Sequence, residues 1–393
     1  MNYTESNIKK IIDYFESGCK PVGSPLMLGV EIEHFLTDKK TGNQAVFEGG
    51  RGVGEIMNAL APHFEEKAYK NGLLIGLGCS DFNISLEPSC QFECSMRPAE
   101  SITEIETLYN EFRKIIDPII SDFGYDITSC GYHPTELNKD MELIPKDRYK
   151  FMDRYFESIG TKGRFMMRST ASTQVSIDYY SEEDCKEKYR SLYILGPILS
   201  YMTDNTPVYE KQKNSIPLRR ATIWRNVDSK RVDIFKYMDF QNFGFETYAE
   251  FVYNTPLIVD ISSDKETYTE KTAREIYSEK ELETKDIEHI LSMVFPMVRL
   301  KHCLEIRFAD GMDLKNALSY AALIKGLYKK PEIIYNYIAD LDATRFQDIV
   351  NAENEIAACG ANAKIYGRKI GDIIGYMKET ARENLGEEGK FLC

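Results

Sequence analysis

Polar side chains, among them glutamate, glutamine and arginine, alternate with apolar ones in four segments of this sequence. The segments are 29–36, 84–97, 168–178 and 300–308. Successive side chains of a β-strand point to opposite faces, so residues of equal parity share a face. In each segment most apolar residues occupy either the odd-numbered or the even-numbered positions. Acids, amides and small polar residues occupy the others. The pattern therefore predicts four strands, each with one face able to hold oxygen ligands.

The acidic residues on these faces are candidate cation ligands. They are Glu31, Glu33, Glu87, Glu93 and Glu305, with Gln174 as an amide neighbour. A single face of this kind is commonly just solvated, but these faces carry almost no lysine. If the strands share one sheet, five like charges would repel strongly unless cations neutralise them. All-oxygen ligands suit hard divalent cations, so we expect Mg²⁺, or Mn²⁺, rather than zinc.

The composition and the net charge disfavour some classes of binding partner for this protein. The formal charge is -13, from 62 acidic and 49 basic residues, which disfavours nucleic acid and anionic membranes as partners. No run of about 18 apolar residues and no signal-peptide core is present, so we expect a cytoplasmic protein. The nine cysteines lack metal-type spacing and indicate reduced thiols, with Cys90 and Cys94 on an apolar strand face as core residues.

The elements that must position these residues mix helices and strands. Helical patterns cover 4–17, 102–123, 183–203, 315–340 and 364–384. Ser101 followed by Glu104 predicts a capping box at the start of the second helix. Without a regular βαβ rhythm, the mixture predicts an α+β fold on a mainly antiparallel sheet, as a single domain over 1–393. The glycine-rich stretch 49–54 lacks the P-loop pattern, which favours a structural turn over a phosphate loop.

A family resemblance appears in the same segments and in three others. The matching residues lie at 29–33, 84–88 with 91–93, 172–175, 220–224 with Asp228 and Arg231, 295–301, and 304–307 with 309–311. In this order they resemble the plant and proteobacterial type of glutamate–cysteine ligase, among the glutamine synthetase-like carboxylate–amine ligases. The resemblance implies a curved antiparallel sheet that forms a funnel-like site. It places the core motifs at 29–311, followed by a helical part at about 315–393.

The resemblance also implies residue roles. The metal ligands would be Glu31, Glu33, Glu87, Glu93, Gln174 and Glu305. Arg307 would lie beside the transferred phosphoryl group, and Arg220 would be the second catalytic residue. Substrate or nucleotide contacts would come from Gln91, Arg97, Thr173, Trp224, Asp228 and Arg231. A monomer or homodimer acting on small molecules would fit these roles.

The implied reaction uses ATP and Mg²⁺ to activate the γ-carboxylate of glutamate as an acyl phosphate, which an amine such as that of cysteine then attacks. The residue types agree, because phosphoryl transfer needs metals and cationic side chains rather than a protein nucleophile. Arginine suits this role through its planar fork of donors. Two departures from the family pattern are Ser89–Cys90, where many relatives have Gly-Gly, and Asn226, where an acid is common.

Three alternatives stay open at this point. The first is a ligase of the same family with another amine acceptor, because the metal and ATP motifs do not report on the acceptor. A guanidino phosphotransferase shares a similar catalytic sheet, but it would need fewer metal carboxylates than five. The third alternative is a metal- or nucleotide-binding regulatory protein that has lost catalysis, against which Glu305, Arg307 and Arg220 weigh.

Overall fold

A large antiparallel sheet forms the centre of the protein in the computed structural model, which describes residues 2–236, 242–263 and 265–393. The strands are β1 (Leu28–Asp38), β2 (Glu66–Lys70), β3 (Leu73–Gly78), β4 (Phe82–Leu86), β5 (Phe92–Ala99), β6 (Tyr125–Thr128), β7 (Ser172–Ile177), β8 (Val208–Tyr209), β9 (Gln212–Lys213), β10 (Val259–Asp260), β11 (Thr267–Tyr268), β12 (Val298–Leu300), β13 (Leu304–Asp310), β14 (Lys364–Ile365) and β15 (Arg368–Lys369). The main sheet has the order β12-β13-β7-β1-β5-β4-β3-β2, with β6 paired to the end of β1. The remaining strands form two-stranded hairpins.

Helices surround the sheet. They are α1 (Thr4–Ser17), α2 (Val53–Leu60), α3 (Ile102–Asp122), α4 (Asp147–Ile159), α5 (Gly163–Ser169), α6 (Glu182–Met202), α7 (Arg219–Arg225), α8 (Ser229–Val232), α9 (Phe245–Asn254), α10 (Ala273–Ile276), α11 (Thr284–Leu291), α12 (Leu314–Tyr328), α13 (Pro331–Ala339), α14 (Phe346–Cys359) and α15 (Ile370–Leu385). None of those in the described ranges is both long and apolar enough to cross a membrane. The predicted α+β class with a mainly antiparallel sheet is confirmed.

Most helix predictions are confirmed with small changes. At the start of α3, the Ser101 hydroxyl accepts the Glu104 N–H at 3.1 Å, and the Glu104 carboxylate accepts the Glu100 N–H at 3.2 Å. The range 315–340 is two helices, because Pro331 opens a new one at the position where proline is tolerated. The range 364–384 begins with the β14–β15 hairpin, and its helix starts only at Ile370.

The prediction of one strand over 84–97 is wrong, because the chain turns back between β4 and β5. At the turn, the Glu87 N–H donates to the Gln91 carbonyl at 2.9 Å, and Cys90 adopts a φ of 64°. Leu86 pairs with Phe92 across the hairpin. Paired residues of antiparallel strands share a face, and these two differ by an even number, so the alternation survives the turn. The run 300–308 is likewise a hairpin of β12 and β13.

The apolar face of the sheet lies against helices α3, α6 and α12. Buried apolar residues of the described chain form one continuous core that extends from Ile11 to Leu385, beside one small separate cluster. Cys90 and Cys94 are both buried in the main core as free thiols, which confirms their interpretation as core residues. The single-domain assignment over 1–393 stays a prediction.

Candidate active site

Neighbouring strands bring the predicted polar faces together, so the convergence expected from parity is confirmed. Glu31 of β1 lies opposite Gln174 of β7, and Glu33 lies opposite Glu93 of β5. At the sheet edge, Glu305 of β13 pairs with Arg299 of β12. Glu87 joins this surface from the β4–β5 turn.

A cavity of about 330 Å³ covers this surface. Its floor contains all five predicted glutamates, together with Gln174 and Arg307. Its roof comes from α4, α5, α7 and the segment 292–295. The sheet therefore supplies the charged groups, and the helices enclose them.

Burial and mutual repulsion destabilise the charged forms of three carboxylates on the cavity floor. Burial, followed by repulsion from Glu93 and Glu305, raises the pKa of Glu31 to about 8. Burial and repulsion from Glu87 raise the pKa of Glu93 to about 8, and burial with repulsion from Glu33 raises the pKa of Glu87 to about 7. A bound cation would favour the ionised form of these groups and so oppose the effects of burial and repulsion.

The Gln174 side chain links the Glu33 carboxylate on the cavity floor to Arg307, which we expect beside the phosphoryl group. The Glu33 carboxylate accepts the Ser172 N–H and hydroxyl, both at 2.8 Å, and the Gln174 amide at 3.0 Å. The Gln174 carbonyl oxygen in turn accepts from Arg307 at 3.0 Å. Gln174 thus orients both a carboxylate and a guanidinium.

Glu305 is surrounded by cations. Its carboxylate accepts from Arg299 at 2.7 and 2.9 Å, from Lys301 at 2.8 Å, and from Arg307. Burial opposes ionisation, but Arg299, Lys301 and Arg307 hold the pKa of Glu305 well below its usual range. In this structure Glu305 therefore organises the cationic side of the site, and its role as a metal ligand stays a prediction.

The donor set fits hard divalent cations, although no three His, Cys, Asp or Glu side chains converge on one point within the described ranges. Glu31, Glu87 and Glu93 present oxygen atoms to the same cavity, and no ion pair neutralises them in the described structure. Carboxylates with raised pKa values in a shared cavity gain most from a hard cation that binds oxygen. The assignment of the metal ligands itself stays a prediction.

Arg220, Arg307 and Trp224 form a cationic cluster beside the carboxylates. The guanidinium carbons of Arg307 and Arg220 lie 4.8 and 5.1 Å from the Trp224 ring centre. Arg220 is fully buried and donates to the Arg307 carbonyl at 3.0 Å. Buried donors on all three residues lack a partner in the described structure. Unpaired donors of this kind are costly unless an anionic ligand accepts from them.

Arg97 and Thr173 lie outside the lining of the cavity, and their predicted roles in substrate or nucleotide binding stay predictions. Arg97 is exposed and pairs with Asp81 at 3.0 Å and Glu104 at 2.6 Å. Parity gives it the correct face, but it lies four residues beyond Glu93, roughly 13 Å along the strand. Thr173 is fully buried because it has the parity opposite to that of Gln174.

Asp228 and Arg231 also lie outside the cavity lining, where they form a buried ion pair, and their predicted substrate contacts stay predictions. Asp228 caps α8 and accepts from the Tyr155 hydroxyl at 2.7 Å. The fully buried Arg231 donates to Asp228 and to the Met293 carbonyl, both at 3.0 Å. Their ion pair ties α8 to α4 and to the segment that carries Phe295.

Gln91 lines the cavity, but its side chain holds the chain together. It accepts the Ser89 N–H at 2.8 Å and donates to the carbonyls of Met167 and Thr170, both at 3.1 Å. Gln91→Ala would leave these buried groups unpaired, so we expect the free energy of unfolding to fall by about 2–4 kcal/mol. Urea unfolding measures this change. A loss below about 0.5 kcal/mol would contradict the structural role.

Eleven of the residues that line the cavity were not among the predicted site residues, and four of these are charged or carry a phenol. Arg148 and Tyr149 come from α4, and Arg299 and Lys301 flank Glu305. The Arg148 guanidinium donates to the Ser292 carbonyl and hydroxyl at 3.1 and 3.0 Å. The sequence could have predicted Arg299, because it is an odd-numbered residue like Glu305 and therefore shares its face of the β12–β13 hairpin. No local signal marks Arg148, because the approach of α4 to the sheet is a tertiary feature.

Comparison with known proteins identifies the family. The model of glutamate-cysteine ligase family 2 matches residues 27–372. A chloroplastic glutamate–cysteine ligase of Arabidopsis thaliana is 31% identical, with 95% of this chain and 72% of the relative covered. A chloroplastic glutamate–cysteine ligase of Medicago truncatula is 28% identical, with 96% and 76% covered.

A solved structure supports the fold independently. The glutamate–cysteine ligase of Francisella tularensis in complex with AMP superposes with a TM-score of 0.52 at 11% identity. The match covers 93% of this chain and 80% of that one. At this identity the likeness concerns the fold alone. The family model, which spans most of the sequence, shows that the chain belongs to glutamate-cysteine ligase family 2.

Proposed function

We propose that this protein is an ATP-dependent ligase that joins the γ-carboxylate of glutamate to the amine of cysteine, the first step of glutathione biosynthesis. The proposal rests on one cavity in which carboxylates with raised pKa values face arginines with unpaired donors. Such a cavity suits a metal–triphosphate complex, since metals neutralise carboxylates and phosphates while arginines pair with developing charge. Family membership supports the choice of substrates.

Mg²⁺, or Mn²⁺, would be held by Glu31, Glu87 and Glu93, with Glu33 and Glu305 at the borders of the set. When bound, the metal supplies Lewis-acid neutralisation of the phosphate oxygens. The protein itself aligns the donor groups. Gln174 and Glu305 hold Arg307 toward the floor, and Trp224 limits the movement of its guanidinium.

The proposed chemistry has two displacements. A γ-carboxylate oxygen of glutamate attacks the terminal phosphorus of ATP, the bond to ADP breaks, and an acyl phosphate forms. The cysteine nitrogen then attacks the acyl carbon, phosphate leaves with the carboxylate oxygen, and the nitrogen loses a proton. Arg307 and its unpaired Nε donor would stabilise charge on the transferred group.

The experiment that tests this function measures phosphate release from ATP and Mg²⁺ with glutamate and one amine at a time. We expect turnover with cysteine that depends on glutamate. Turnover only with another amine would favour a different acceptor within the family. ATP binding without any turnover would favour the regulatory alternative.

The remaining expectations have different support. Five cavity carboxylates argue against a guanidino phosphotransferase, whose site would need fewer. The cavity between the sheet and the helices supports small molecules as substrates. The relatives from Arabidopsis and Medicago are named as chloroplastic, so the expected cytoplasmic location stays a prediction, as does the choice between monomer and homodimer.

A further inference from the structure

One part of the cavity roof is apolar, whereas Arg148 and Ser292 make another part polar. Three methionines lie in the apolar part: Met152 from α4, and Met166 and Met167 from α5. They are 5%, 8% and 1% exposed. Pro88, Trp224 and Phe295 complete the apolar lining.

We propose that Met152, Met166 and Met167 form the subsite for the side chain of the amine acceptor, and that this wall selects a thiol over a hydroxyl. The inference rests on the proposed ligase function and deepens it, because the charged floor does not define the acceptor. Thioethers are polarisable and flexible, so they adapt closely to a small sulfur-containing side chain.

The chemistry of the three substrates assigns the wall to the acceptor. The phosphates of ATP and the carboxylate of glutamate require the charged floor. Only the acceptor side chain and the adenine base are sufficiently apolar for the apolar part of the roof. Adenine prefers a planar aromatic surface, but guanidinium groups already lie over Trp224, the largest ring in the cavity. The methionines offer no planar face.

Selection against a hydroxyl follows from the polar groups near the wall. The Met166 carbonyl accepts the Thr170 hydroxyl at 2.7 Å, and the Met167 carbonyl accepts the Gln91 amide at 3.1 Å. The thioether sulfurs are weak acceptors. A serine hydroxyl placed here would lose its water without gaining a strong partner, whereas a thiol loses little. A hydrophobic pocket discriminates against an added hydroxyl by roughly 10², which sets the expected scale.

The test compares kcat/KM for cysteine and for serine in the wild type and in Met166→Gln. Glutamine has nearly the same length as methionine and brings hydrogen-bonding groups to the wall. We expect the wild type to favour cysteine by roughly 10² and Met166→Gln to lower this ratio by roughly tenfold. Met166→Leu should keep the ratio within about twofold, because it stays apolar. The KM for ATP should change by less than about twofold in both variants.

Met202→Gln is the matched control, since Met202 is half-buried at the end of α6 and lies outside this cavity. An unchanged cysteine-to-serine ratio in folded Met166→Gln would overturn the inference. A raised KM for ATP with an unchanged ratio would assign the wall to adenine instead. A wild-type enzyme that ligates glutamate to neither cysteine nor serine would refute the proposed function itself, and a thermal melt of each variant verifies folding.

Discussion

Glu93→Gln is expected to lower turnover by at least about 10³-fold without unfolding the protein. The substitution removes one negative charge from the floor that would hold the metal. Neutralisation of phosphate charge by a metal lowers the activation free energy by several kcal/mol, and the variant would lose much of this effect. The fold should tolerate it, because the Ser85 and Ser95 hydroxyls donate to a single Glu93 oxygen, at 2.7 and 3.2 Å. A glutamine carbonyl can accept both hydrogen bonds.

Steady-state phosphate release and a thermal melt measure the two parts of this prediction. Glu111→Gln is the matched control, because it makes the same change on an ion-paired surface residue of α3. Its activity should stay within about twofold of the wild type. Glu305→Gln should also abolish turnover, since it removes the carboxylate that holds Arg299, Lys301 and Arg307. Near-normal activity of both cavity variants would refute the shared carboxylate floor.

Without divalent metal, the protein should become less stable as the pH rises from about 4.5 to about 8. Glu31 and Glu93 have an ordinary pKa of 4.5, and folding raises it to about 8 in each. A carboxyl with a raised pKa binds its proton more tightly in the folded chain. Its stabilising contribution is complete below 4.5 and is lost as the pH approaches 8. Both carboxyls line a cavity that opens to solvent, which screens their charges, so we expect a total loss of about 2–3 kcal/mol.

Mg²⁺ should reverse this loss at pH 8 and have little effect at pH 5, where protons compete for the same oxygens. Urea unfolding with and without Mg²⁺ at the two pH values gives the comparison. In Glu93→Gln, both the pH dependence and the Mg²⁺ effect should be smaller. Equal stabilisation by Mg²⁺ at pH 5 and pH 8 would contradict the assignment of these carboxylates as the cation site.

Parity was sufficient to predict which residues share the cavity floor, even where it gave the wrong strands. The runs 84–97 and 300–308 are hairpins, yet their alternation survives because the paired residues Leu86 and Phe92, and Leu300 and Leu304, are separated by even numbers. A period-two pattern therefore specifies a face without specifying whether the chain reverses.

The differences between the predicted residues and the cavity lining have separate physical causes. Parity places Arg97 on the correct face, but it does not limit how far along β5 the cavity extends. Thr173 was carried over from the family motif against its own parity, and the structure follows the parity. Arg148 reaches the cavity only because α4 crosses the sheet, which depends on long-range packing. The ion pairs of Glu305 with Arg299 and Lys301 depend on the hairpin geometry.

Transfer of oxygen from glutamate to phosphate distinguishes ligation through an acyl phosphate from simple hydrolysis of ATP. Glutamate labelled with ¹⁸O in its γ-carboxylate would be incubated with ATP, Mg²⁺, cysteine and the enzyme, and the released phosphate would be analysed by mass spectrometry. Ligation through an acyl phosphate predicts one ¹⁸O atom in each phosphate released, because the carboxylate oxygen leaves with phosphorus. Unlabelled phosphate, released at the same rate with or without glutamate, would contradict the account.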